Sequence, residues 1–133
     1  MNILLVAYKD MILSIAQGHW EGNVSISKPI YMLAILDAIE NNILSTNRIE
    51  LNDVYVRNKF GEFYKQYNGN KKGYLAAFFI RPYYHLNSSD FYYLVWKEEI
   101  RPPIKGHTPS AKYLQEHLLY AKLDDDLWEL LQN

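Results

Sequence analysis

The side chains of this 133-residue chain best suited to acid–base or metal chemistry are four histidines, His19, His85, His107 and His117. None stands four residues from another, and without any Cys no thiolate can complete a zinc set. A nuclease core of the Asp…Glu-x-Lys type needs an acid two residues before the lysine. Asp90 and Lys97 approach that pattern, but Val95 occupies the position of the acid. No Ser nucleophile elbow, Walker loop or Gly-rich dinucleotide turn occurs. Asp124, Asp125 and Asp126 are consecutive, so on a helix they point in different directions. They suit the positive end of a helix dipole better than a cation. The expectation is a binding module with no catalytic set, no metal and no cofactor.

Groups that could hold an anion are better represented. Lys28 falls in the first turn of a helical segment, where free N–H groups and the dipole favour negative charge. Thr108, Ser110 and Lys112 repeat that arrangement at a second helix start. Residues 57–72 hold Arg57, Lys59, Lys65, Lys71 and Lys72 against Glu62 alone. Simple capping beside exposed lysines would explain each site taken singly. The three together make contact with phosphates a competitive reading.

A net charge of −1 hides this basic stretch, because residues 113–133 hold Lys122 against five acids. Nearly half of the residues are apolar, which argues against disorder, and the length fits one domain over residues 1–133. Twelve Tyr stand against five Phe and three Trp; Tyr suits a core rim or an interface. The start, MNILLVAY, lacks the basic segment and cleavage site of a signal peptide, and no run reaches the ~20 apolar residues of a membrane span. A cytoplasmic location is expected.

The positioning elements follow from periodicity and caps. Apolar residues over 3–17 recur at helical spacing up to Gly18, and a loop follows. The segment 27–44 predicts the core helix, capped by Ser27, with Pro29 in its first turn and Met32, Ile35, Leu36, Ile39 and Ile43 in one stripe, widened by Ile30 and Leu33. RIEL (48–51) predicts a short strand, and Asn52 or Asp53 can cap a helix reaching Tyr67. NGNKKG (68–73) reads as a turn. Two aromatic runs, about 77–86 and 91–97, read as a hairpin around Asn87–Asp90. RPPIKGH (101–107) is a connector, Thr108 is expected to cap a helix, and DDDLWELLQ closes the chain as a helix. In that last helix Leu127 and Trp128 are expected to pack on the domain. The expected fold is α+β, mostly helical, with a small antiparallel hairpin in winged-helix-like order.

The ordered set SKPIYMLAILDAIENNIL, RIEL, PYYHLNSSDFYYLVW and YAKLDDDLWELLQ resembles the sulfur-binding domain found ahead of HNH nuclease domains in type IV restriction endonucleases. The likeness runs in the same order from about residue 25 to residue 133. It implies binding to DNA in which sulfur replaces a non-bridging phosphate oxygen, with a nuclease domain or subunit as partner. Lys28, Pro82 and His85 fall on the family's motif positions, with Arg81 and Tyr83 adjoining. Three positions depart from the pattern. Ser27 stands where the family has His, and polar Arg81 and His85 flank a proline that the family surrounds with apolar groups. The resemblance implies that Pro82 forms the apolar wall for sulfur while Lys28, Arg81 and His85 hold the backbone. The candidate DNA-binding set is Lys28, Arg81, Pro82, Tyr83 and His85, extended by Lys105, His107, Ser110 and Lys112. Two rivals stay open: a winged-helix DNA binder using the 53–67 helix without sulfur selectivity, and a protein-interaction module using the Tyr-rich hairpin.

Overall fold

The computed structural model describes residues 19–20, 23–24, 27–67, 79–98 and 108–132. The helix expected over 3–17, the turn at 68–73 and the connector at 101–107 lie outside the described residues. A short antiparallel ladder, β1 (His19–Trp20) with β2 (Asn23–Val24), occupies part of the segment expected to be a loop.

Helix α1 (Ser27–Glu40) is the core helix, as its periodicity predicts. Its buried face is Ile30, Tyr31, Met32, Ala34, Ile35, Ala38 and Ile39, while Leu33 and Ile43 are exposed. The helix ends in a Schellman motif. Asn42 takes a left-handed φ of 58°, Ile43 N–H donates to Ala38 O (2.9 Å) and Asn42 N–H to Ile39 O (3.1 Å). Asn tolerates that conformation better than a branched residue would.

Helix α2 (Val54–Tyr67) starts at Asp53, whose carboxylate accepts from Val56 N–H at 2.9 Å. It packs along α1 through buried Val56 and Phe60, and Tyr55 O–H donates to Asp37 on α1 at 2.6 Å.

The expected hairpin is corrected here. Its first strand is a helix, α3 (Ile80–His85), continued by a 3-10 turn at Leu86–Ser88. Phe79, Pro82, Tyr83 and Leu86 are buried, at i, i+3, i+4 and i+7, which is a helical stripe. Pro82 sits in the first turn, where the missing N–H breaks no intrahelical bond. The second run does form a strand, β3 (Tyr92–Trp96), but pairs with β4 (Leu118–Leu123). The register runs antiparallel from Tyr92 opposite Leu123 to Trp96 opposite Leu118, with an irregularity after Val95. Ile49 of the RIEL segment bridges Ala121 on the far side of β4 through two backbone bonds of 2.7 and 2.9 Å. The described residues thus form an α+β domain of five helices and small antiparallel ladders.

Helix α4 (Ala111–His117) is capped by Ser110, whose hydroxyl accepts from Tyr113 N–H at 3.1 Å; Thr108 is not the cap. The closing helix α5 (Asp125–Leu131) is capped by Asp124, with Asp125 and Asp126 in its first turn. Leu127 is buried and Trp128 half-buried against the core. The tail helix is therefore anchored chiefly by Leu127. Leu127→Ala is expected to cost about 2–5 kcal/mol, read as an earlier midpoint in urea unfolding. An unchanged midpoint would mean that α5 contributes little to the core.

Candidate nucleic-acid interface

Beneath α3 lies a buried chain of tyrosine hydroxyls. Tyr92 O–H donates to the carbonyl of Tyr83 at 2.6 Å. That uses the one hydrogen of Tyr92, so the 2.8 Å bond between the Tyr31 and Tyr92 hydroxyls is donated by Tyr31. Tyr83 O–H in turn donates to Ile49 O at 2.7 Å. Burial pushes all three phenols above their ordinary range, so each remains a neutral donor. The Tyr31 ring meets Phe79 and Tyr92 edge-on, with centroids 5.4 and 5.7 Å apart. This packing fixes the height and rotation of α3 against α1 and the RIEL segment.

The outer side of α3 carries the polar groups. Arg81 is exposed and His85 half-buried, one helical turn apart. Lys28, in the first turn of α1, donates from Nζ to Ser88 Oγ at 3.3 Å and so spans from α1 to the 3-10 turn. His85 Nε2 lies 2.8 Å from Thr108 Oγ1, which ties α3 to the segment leading into α4. Burial, then the charge of Lys28, then that of Arg81, hold the imidazole of His85 below its ordinary range. Neither Lys28 nor Arg81 forms an ion pair with a described carboxylate. Lys28, Arg81, His85, Ser88 and Thr108 thus make one polar patch with a positive field, drawn from three chain segments.

The expected site residues separate on this geometry. Lys28, Arg81 and His85 come together. Pro82 lies between Arg81 and His85 in sequence, but it is buried on the stripe of α3 that carries Phe79, Tyr83 and Leu86. Tyr83 is fully buried and supports α3 from below, a correction to its expected place facing DNA. Ser110 is engaged as a cap, and Lys112 is exposed on the first turn of α4. Lys105 and His107 lie outside the described residues. Ser88 was not among the expected contacts, and Thr108 was expected at an anion-holding helix start but not in the DNA-binding set. Ser88 reads as turn filler and Thr108 as a cap, and nothing local in sequence pairs either with a cation or an imidazole.

The basic stretch is less available than its composition implies. Lys59 Nζ is held by Glu62 at 3.1 Å, and the Arg57 guanidinium lies over the Phe79 ring, 5.0 Å from its centroid. Lys71 and Lys72 lie outside the described residues. An open groove lined by Leu36, Ile39, Glu40, Asn42, Leu131 and Gln132 sits at the other end of α1 and carries an acid. Among the described residues no three His, Asp or Glu side chains gather into a metal-binding group, and no helix is long and apolar enough to cross a membrane.

No protein-family model and no curated protein matches the chain. Among solved structures, it is similar to the sulfur-binding and SRA domains of ScoMcrA complexed with phosphorothioated DNA, with a TM-score of 0.67 and 15% sequence identity. The alignment covers 92% of this chain and 36% of that one, so the chain spans little more than a third of its length. At this identity the likeness is one of fold.

Proposed function

We propose that the chain is a DNA-binding module that grips the phosphate backbone at the Lys28–Arg81–His85 patch and prefers a phosphorothioate linkage. The observation that carries this reading is the convergence of two cations, neither ion-paired to a described carboxylate, on the His85–Thr108 pair. The shared fold with a protein solved on phosphorothioated DNA supports it. Lys28 and Arg81 supply charge for ordinary phosphates, and Thr108 and Ser88 supply hydroxyl donors. Sulfur is larger, more polarizable and less strongly hydrated than oxygen. In this reading the ring of Pro82, buried on α3 between Arg81 and His85 in sequence, is its apolar neighbour. Phosphates dominate the affinity, and sulfur adds discrimination. A role in restriction of modified DNA in the cytoplasm, with an HNH nuclease domain or subunit as partner, completes the proposal.

The test is a titration of one short duplex, with and without a single phosphorothioate, at two salt concentrations. Both duplexes should bind, more weakly at high salt, with the modified one held about 10-fold or more tighter, the size of a one-methylene difference. Pro82→Ala should shrink that ratio and leave binding of the plain duplex largely intact. Equal affinity of the wild type for both duplexes would remove sulfur from the account and leave the backbone grip. Failure to bind either at low salt would remove both.

A further inference from the structure

His85 is the one titratable group of the patch whose charge can change near neutral pH. Lys28 faces it from α1 and Arg81 from its own helix, and both disfavour a proton on the ring. Thr108 faces it from the segment before α4, and the Tyr84 ring meets it edge-on with centroids 5.0 Å apart. No described carboxylate pairs with it. The free site therefore holds two permanent cations around an uncharged imidazole. Binding a backbone anion there reverses the local field, and the anion now favours the proton that the cations opposed.

We propose that anion uptake at this site is coupled to uptake of one proton by His85, so that pH sets how tightly the patch holds DNA. This rests on the DNA-binding reading above and adds its regulation. The His85–Thr108 bond gives the coupling a second arm. In the neutral ring, Nε2 either donates to Thr108 Oγ1 or accepts from it. In the imidazolium it can only donate. Protonation thus fixes Nε2–H toward Oγ1 and frees the Thr108 hydrogen to donate to the bound anion. One added proton supplies a positive charge and a hydroxyl donor at the same place.

Calorimetry of duplex binding near pH 7, in two buffers with different ionisation enthalpies, measures the protons taken up. The wild type should take up a substantial fraction of one proton per site. Its affinity should rise as pH falls, by at most about tenfold per pH unit for a single proton. His85→Gln should abolish the uptake and flatten the profile. His117→Gln, on α4 beside Glu116, should keep both and so removes the effect of overall protein charge. Thr108→Val should lose affinity at low pH and little at high pH. Imidazole resonances of the wild type provide a reading independent of any variant, and His85 should titrate at higher pH with the duplex bound than without it. Duplex binding with no proton uptake and an unmoved His85 titration would overturn the coupling and leave the DNA-binding reading standing. Absence of duplex binding at every pH would overturn both.

Discussion

Lys28→Ala and Arg81→Ala should each weaken duplex binding about tenfold at low salt, since each removed contact is worth ~1.4 kcal/mol. Each should also lower the slope of log affinity against log salt by about one, the signature of a lost phosphate contact. Lys59→Ala is the control, because Glu62 already holds that ammonium on α2. It should leave both affinity and slope unchanged. A steep loss in Lys59→Ala with little change at Lys28 and Arg81 would move the interface to α2.

Tyr92→Ala should cost about 3–5 kcal/mol of stability, as expected for deleting a large buried ring, and lower the melting temperature measured by circular dichroism. The ring is fully buried against Tyr31, and its hydroxyl joins Tyr31 to the backbone of Tyr83. Marginal stability makes such a loss a large share of the total. Tyr92→Phe keeps the ring and leaves the Tyr83 carbonyl without its donor, for about 1–3 kcal/mol. That variant should stay folded yet bind DNA less well, because Tyr92 fixes the helix carrying Arg81 and His85. A Tyr92→Ala protein that melts with the wild type would refute the role given to this hydroxyl chain.

The sequence announces helices wherever a cap and a long apolar stripe coincide. Pro29 in a first turn, Asp53 before α2 and Asp124 before α5 each mark a boundary that the structure keeps. The aromatic segment around Pro82 misleads, because Tyr and Phe favour strands by type. Spacing decides otherwise, since Phe79, Tyr83 and Leu86 bury one helical stripe. Strand β4 escaped notice because its partner β3 ends at Trp96, across a connector, and turn chemistry reports only pairings between neighbours. The α+β class survives this exchange of partners, since a small antiparallel ladder still stands among helices.

The site was legible only as a set of types. Lys28, Arg81 and His85 stand out as polar groups on apolar or aromatic segments. Their convergence depends on contacts between distant residues, Lys28 with Ser88 and His85 with Thr108. No local pattern encodes such contacts. Tyr83 entered the candidate set through the resemblance, as a neighbour of Pro82, and only its burial shows that it works from beneath.

The most direct test of the interface is the change in the amide spectrum of the isotope-labelled protein on adding a short duplex at low salt. The account predicts shifts concentrated at Lys28, Arg81, His85, Ser88 and the segment from Thr108 to Lys112, with helix α2 little affected. Shifts confined to residues 54–67, or none at saturating duplex, would contradict it.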